Sequence, residues 1–377
     1  MKSILILGAT GIIGRELTSQ AASAGWSVTA VSRHPGVQPV EATHLMADVR
    51  SPGELRNKVS EARFDVVVDL LSFNVDQMRS TLKEIEGLYG RYIFVSSATV
   101  LAPAAPGREL DEGSTLLQDG WTYAARKAEC EQFLQGAIGA GLAATIVRPY
   151  ITYSSLRVPF GIWEAGDVLD RLREGRPLVI GAEIECAVTT LTHASDVAAA
   201  IVDVAADASM VGEVLNIAQG TRITWREVYE TVAQVLGVGL QVAPVPVGRI
   251  AKKFPGLAGK ISDRAQDRSF DSSKLIALSS RHAHPIDFRE HVAESLLLDK
   301  RPSARSFVDE GKIDRLVSGA DPTGRFSGQR WRYERSLLRS SPGSWVRYLV
   351  GYHPTLGTFR DLLRRARRQG GGNYGVS

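Results

Sequence analysis

Three glycines spaced three apart, Gly8, Gly11 and Gly14, stand between a short apolar run at residues 4–7 and a stretch of helical apolar spacing that reaches residue 24. No other feature of the 377-residue chain narrows its possible folds as much. A strand has to turn tightly into a helix there. Glycine at the first position permits the turn, at the second it lets an outside group approach the backbone, and at the third it lets the helix pack on the strand. The start of such a helix offers free N–H groups and the positive end of the helix dipole. The pattern predicts that the pyrophosphate of a dinucleotide sits on this turn. The alternative is a strand–helix turn that merely happens to be rich in glycine.

The next 130 residues repeat the alternation. β-rich runs at 27–32, 43–46, 65–70, 92–96 and 144–147 are separated by helix-like stretches, the last of them at 122–135. Continuous Val and Ile runs between helices indicate a parallel sheet covered on both faces. The expected fold class is therefore α/β, a Rossmann doubly wound parallel sheet; a smaller C-terminal substrate-binding domain is what the family resemblance given below implies. Residues 1–150 are assigned to the NAD(P)-binding domain, with 188–218 returning to it. Residues 151–187 and 219–330 are assigned to the substrate domain, and 331–377 to a basic C-terminal extension. A helix is expected to begin near Ser195-Asp196, and another at 224–236 with Thr224 and Glu227 as a capping box.

Two cysteines, Cys130 and Cys186, are too few for a disulfide framework, which points to a cytoplasmic protein. Nothing at the start reads as a signal peptide, and no run reaches the ~18 apolar residues that a membrane span needs. His282 and His284 lack cysteine or carboxylate partners at metal-ligand spacing, so no metal is expected. Net charge is +4, but residues 301–377 alone hold 15 Lys or Arg against 6 Asp or Glu. The run at 360–368 (RDLLRRARR) reads as a solvated or packed terminal helix rather than a nucleic-acid site.

The second β-run ends on Ser32-Arg33, where an NAD binder usually carries an acid for the ribose 2′-hydroxyl. A hydroxyl beside a guanidinium suits a 2′-phosphate, so NADP(H) is preferred and NAD(H) is the alternative. Asp48 is placed to meet the adenine amino group or, alternatively, to cap the next helix. Tyr123 and Lys127 stand four apart on the helix at 122–135 and so share a face. A phenol is a poor base near pH 7, and an adjacent ammonium would lower its pKa into a usable range. Ser97, at the end of the fifth run, is expected to hydrogen-bond the reacting oxygen; its neighbour Ser96 should point the other way.

The segments GATGIIG, DVVVDLL, YIFVSSATV, YAARK, IVRPY and THASDVAAAI together resemble the short-chain dehydrogenase/reductase superfamily, extended type, in its NAD-dependent epimerase/dehydratase group. The resemblance covers roughly residues 1–236, with FDSSK at 270–274 similar to a later substrate-domain motif. It implies that Ser97, Tyr123 and Lys127 are catalytic. It implies a cofactor site formed by Gly8, Thr10, Gly11, Ile12, Ile13 and Gly14 on the glycine turn and by Ser32, Arg33, Asp48 and Val49 beyond it. Leu70, Leu71, Lys127 and Tyr150 complete that site. The family's 4,6-dehydratases have an Asp-Glu pair after the serine or threonine; Ala98-Thr99 stand here, as in UDP-galactose 4-epimerase. Leu101-Ala102 and ITYSS replace two further family motifs, which points to an atypical substrate.

Three functions follow as expectations. The first is NADPH-dependent reduction of a keto group on a sugar or sugar-like substrate, including an amino-sugar secondary metabolite. The second is a nucleotide-sugar epimerase holding NAD tightly. The third is a non-catalytic RNA-binding or regulatory member of the superfamily. Glu109, Asp111, Glu112, Asp119, Glu183 and Glu185 either receive an amine-bearing sugar or are solvated loop acids. Trp121, Tyr150, Tyr153, Phe160 and Trp163 line a sugar pocket or fill the core. The resemblance further suggests a homodimer, and no membrane partner is expected.

Overall fold

The structure, a computed structural model, describes residues 1–34, 42–105, 107–117, 120–298 and 306–353. The chain divides into two compact units. Met1–Pro159, Ala187–Thr224 and Ser262–Asp299 form the first; Phe160–Cys186, Trp225–Ile261 and Lys300–Ser377 form the second.

The first unit is built on a seven-stranded sheet, and the fold is the doubly wound α/β Rossmann arrangement that the sequence predicts. Strands β1 (Ser3–Leu7), β2 (Ser27–Ser32), β3 (Thr43–Met46), β4 (Phe64–Asp69), β5 (Tyr89–Val95) and β6 (Ala144–Pro149) are joined by Val214–Ile217 beyond β6. Every neighbouring pair is parallel, and the order across the sheet from that last strand is β6, β5, β4, β1, β2, β3. Side chains alternate between faces along a strand. Ile4 and Ile6 therefore enter a core with Leu17, Val197 and Ile201, while Leu5 and Leu7 enter another with Met78, Phe94 and Leu134. Burial on both faces is why β1 reads as a continuous apolar run. Helices α1 (Ile12–Ser23) and Ala194–Ala206 cover the first face; α2 (Glu54–Val59), α3 (Val75–Glu84) and α4 (Thr122–Gly139) cover the second. The connections of β1 run one way and those of β4 the other, which opens a crevice outside the carboxyl ends of these strands.

Two local readings change. The helix expected near Ser195 begins at Ala194, and its cap is His193, whose Nδ1 accepts from Ser195 N at 3.2 Å. Residues 262–298 pack with the sheet unit because their backbone pairs there: Arg268 N donates to Val188 O at 2.8 Å and Leu110 N to Ser269 O at 2.9 Å.

In the second unit Leu178–Gly181 pairs in parallel with Val242–Val245. The helix Phe307–Ala320 brings Glu310 and Asp314 onto Arg171 and Arg176, with four N···O distances between 2.6 and 2.8 Å. All four side chains are buried. The Tyr348 hydroxyl donates to Asp314 at 2.8 Å, and the Arg176 guanidinium lies 3.5 Å from the Tyr333 ring centre. Residues 331–353, expected to form a separate extension, are thereby part of this unit, with Tyr333, Leu337, Tyr348 and Tyr352 buried together. The basic run 360–368 and the glycines at 370–372 lie outside the described residues. No helix among the described residues is long and apolar enough to cross a membrane.

Burial pushes the Asp314 carboxyl up, but Arg171, Arg176 and the Tyr348 hydroxyl overcome it and hold the group below the ordinary carboxylate value. Removing one partner of such a buried network strands the other charges, at a cost of about 3–5 kcal/mol. Asp314→Asn is expected to lower unfolding free energy by an amount of that order in urea melts near pH 7. Because the folded value is depressed, the contribution is full above the unfolded carboxylate pKa and fades as pH falls through the folded one. Equal stability of mutant and wild type at pH 7 would show that the network contributes nothing.

Candidate active site

The glycine turn has the geometry its spacing predicts. Gly8 has φ +98°, and its N–H, like that of Ala9, donates to Val31 O at the end of β2. A Cβ on Gly14 would lie 2.2 Å from the Gly8 carbonyl oxygen, so only glycine lets α1 approach the turn. No side chain caps α1; Gly11 stands before it in extended conformation. The N–H groups of Ile12, Ile13 and Gly14 have no helical acceptor, which is the state a bound phosphate requires. Thr10 contributes its carbonyl to Arg15 Nε at 3.2 Å. Leu71 leans over Gly8: a Cβ there would meet Leu71 Cδ2 at 2.9 Å and Leu70 Cβ at 3.2 Å. The turn therefore fits a dinucleotide's pyrophosphate.

At the end of β2 the Ser32 hydroxyl is buried and donates to His34 O at 2.7 Å, so it is occupied by its own chain. Arg33 is exposed and makes no hydrogen bond or ion pair among the described residues. Asp48 does not cap α2, whose cap is Gly53; its Oδ1 accepts from Arg50 N at 3.0 Å. Val49 is in the core. The Tyr150 side chain is buried: its hydroxyl donates to Asp263 at 2.9 Å and its ring meets Phe270 at 5.0 Å.

Ser97, Tyr123 and Lys127 come together at the carboxyl end of β5 and the start of α4. The Tyr123 hydroxyl lies near the Ser97 side chain, which favours the phenolate. Thr99 Oγ1 donates to Ser97 Oγ at 2.9 Å, extending a line of three hydroxyls that sequence reading did not include. Ser96 Oγ is buried without a protein partner. The Lys127 ammonium, 1% exposed, donates to Ser72 O and to Val95 O, both at 2.8 Å. It also lies 4.8 Å from the Phe73 ring centre, and the Phe73 ring touches that of Tyr123 at 6.2 Å. Trp121 meets Tyr123 at 5.1 Å.

The electrostatics differ from the simple pairing of an ammonium with a phenol. Burial raises the Tyr123 pKa above its ordinary value, opposed by the Ser97 hydrogen bond and then by the Arg157 and Arg264 guanidiniums. Two of the Lys127 N–H groups donate to carbonyls rather than to the phenol. Burial depresses Lys127 itself to about 8, opposed by Asp69, Cys130 and Glu131. The positive field at Tyr123 comes from residues at 157 and 264, which lie too far along the chain for motif spacing to reveal.

The acids considered for an amine-bearing substrate are engaged elsewhere. Glu109 pairs with Arg222, Glu185 with Arg226 at 2.6 Å, Glu112 accepts from Asn216 N at 2.7 Å, and Glu183 accepts from Val247 N at 2.9 Å. Asp111 accepts from Ser114 Oγ at 2.8 Å, and Asp119 lies outside the described residues. Tyr153, Phe160 and Trp163 are buried core side chains. Among the described residues no group of His, Cys, Asp and Glu could hold a metal ion.

Residues 4–218 match the model of the NAD dependent epimerase/dehydratase family. The chain belongs to that family. It is an enzyme of the extended short-chain dehydrogenase/reductase type, in a family that works with NAD. The 2′-dehydrokanamycin reductase of Streptomyces kanamyceticus is 25% identical over 282 residues, 73% of this chain and 78% of the relative. Among solved structures, the UDP-glucose 4-epimerase of Thermus thermophilus in complex with NAD superposes with TM-score 0.63 at 19% identity, covering 79% of this chain and 99% of that one. The UDP-glucuronic acid 4-epimerase of Bacillus cereus in complex with NAD gives 0.61 at 15% identity, over 79% and 96%. At these identities the structural likeness is one of fold.

Gly14→Ala is expected to weaken binding of NADH and NADPH by about tenfold or more, ~1.4 kcal/mol or above, while far-UV circular dichroism stays unchanged. Fluorescence titration measures it. Undiminished affinity would mean that the phosphates bind elsewhere.

Proposed function

We propose that the chain is an NADPH-dependent reductase of a keto group on a sugar or sugar-like substrate. The observation that carries this reading is the Tyr123 phenol, placed near the Ser97 hydroxyl at the carboxyl end of β5 and kept in its proton-bearing form by burial. A reduction needs a proton donor at the carbonyl oxygen, and this phenol arrives at neutral pH with its proton in place. The bound nicotinamide would supply the hydride. Ser97 hydrogen-bonds the carbonyl oxygen and orients it. Tyr123 gives its proton to that oxygen as it becomes an alcohol. Lys127, fixed by the Ser72 and Val95 carbonyls, keeps one N–H for the cofactor's ribose.

The relative that reduces 2′-dehydrokanamycin supports the direction of reaction and a sugar-like substrate. The amine component receives no support, since the described acids considered for it are engaged and the charges acting on Tyr123 are arginines. Exposed Arg33 supports NADPH, because a 2′-phosphate gives its guanidinium a partner. Nucleotide-sugar epimerisation with tightly held NAD is the second reading, favoured by Ala98-Thr99 in place of the dehydratase acids.

NADPH is expected to bind more tightly than NADH, and Arg33→Ala to remove that preference while leaving NADH affinity unchanged. Protein that co-purifies with NAD and ignores the Arg33 change would favour the epimerase instead. For a keto-sugar turned over by the wild type, Tyr123→Phe should lower kcat by about 10²–10⁴-fold with little change in NADPH affinity; a kcat within a few-fold of wild type removes Tyr123 as the proton donor.

A further inference from the structure

The Lys127 ammonium is held by a carbonyl of a three-residue turn, Leu70–Leu71–Ser72, that follows β4. That turn is organised by one buried carboxylate. Asp69, the last residue of β4, is 0% exposed. Its Oδ1 accepts from Leu71 N at 2.7 Å and Ser72 N at 3.0 Å, and its Oδ2 accepts from the Ser72 and Tyr92 hydroxyls. Two of the four donors are backbone N–H groups, which cannot accept, so this arrangement suits a carboxylate. The same turn carries Leu71, which closes over Gly8 of the phosphate turn, and the Ser72 carbonyl that receives Lys127 Nζ. One side chain therefore braces both the cofactor turn and the lysine.

We propose that Asp69 is a positioning residue for the reaction: it fixes the Leu70–Ser72 turn that grips Lys127 and sets the negative charge that balances the buried ammonium. The proposal rests on the reading of Lys127 as part of a nicotinamide-dependent site. The groups facing Lys127 are few. Asp69 comes from β4, Phe94 at 4.6 Å and the Val95 carbonyl from β5, and Cys130 and Glu131 from its own helix. Glu131 is held by Arg148 of β6 at 2.6 Å, so its charge is already matched. Cys130 is buried and its thiol is pushed up to about 12, so it stays neutral. Tyr92, the remaining titratable partner of Asp69, is raised well above its ordinary value by burial and by Asp69, so it too stays neutral. Asp69 is then the one unmatched negative charge among these groups. Its removal leaves an ammonium held by carbonyl dipoles, the Phe73 and Phe94 rings and a Glu131 already matched by Arg148, and the neutral amine gains.

The test follows the ε-carbon of Lys127 by NMR in full-length protein labelled with ¹³Cε-lysine, assigned through Lys127→Arg, and titrated with and without NADP⁺. The wild-type midpoint is expected near 8. Asp69→Asn should lower the proton affinity of Lys127 by about tenfold or more, moving the midpoint down. Tyr92→Phe removes one donor from the carboxylate without removing its charge and should move the midpoint up, which keeps the idea testable if Asp69→Asn does not fold. An unmoved midpoint in a folded Asp69→Asn protein, or a downward shift in Tyr92→Phe, overturns the proposal. A wild type whose spectrum ignores both NADPH and NADH would instead sink the cofactor reading, and the cofactor-free titrations would still decide the role of Asp69.

Discussion

A buried ammonium has to be surrounded by acceptors, and the arrangement around Lys127 follows from that requirement. Its Nζ joins the end of β5, through Val95 O, to the turn after β4, through Ser72 O, and α4 carries the lysine to both. Three elements meet at one charge. Tyr123 lies one helical turn before Lys127 on the same face and Glu131 one turn after it, so a polar stripe runs along α4 against the carboxyl ends of the central strands. The sheet needs apolar contacts on both faces; the buried part of the polar stripe is tolerated because its charges have partners, carbonyls for Lys127 and Arg148 for Glu131.

Division of labour among charges is the second theme. Two Lys127 N–H groups are directed at backbone carbonyls, not at the Tyr123 phenol. The positive field at the phenol comes from Arg157 and Arg264. Arg264 lies beside Asp263, which also receives the Tyr150 hydroxyl and, at 3.0 Å, Arg268. A buried group of one acid and two arginines keeps net positive charge near the Tyr123 hydroxyl. That favours developing negative charge on a substrate oxygen and disfavours a cationic substrate group at the same place.

Much of the sheet unit was legible in the chain. The runs at 4–7, 27–32 and 43–46 correspond to β1, β2 and β3; β1 stands out because both its faces are buried, whereas β3 is a largely exposed edge strand marked by its place in the alternation. The glycine turn was legible because steric exclusion is local: Gly14 and the Gly8 carbonyl it must clear are six residues apart. The motif around Tyr123 and Lys127 was legible through helical spacing. Asp69, Thr99, Phe73, Arg157 and Arg264 were not singled out for the site, since each matters only through neighbours in space. The return of 262–298 to the sheet unit was equally hidden, because the bonds that hold it, such as Tyr150 to Asp263, Lys274 to Glu213 and His282 to Asp203, join residues far apart in the chain.

By itself the sequence determined the alternation of strand and helix, the glycine turn and the family, each of which depends on residues within about one helical or strand element of each other. Tertiary structure alone decided where the charges act. Whether Lys127 faces the phenol or two carbonyls, whether Glu109 and Glu185 face a substrate or an arginine, and whether residues 331–353 trail or pack depends on distances across the folded chain. Electrostatic interaction is set by separation and burial, and neither is written in the order of residues.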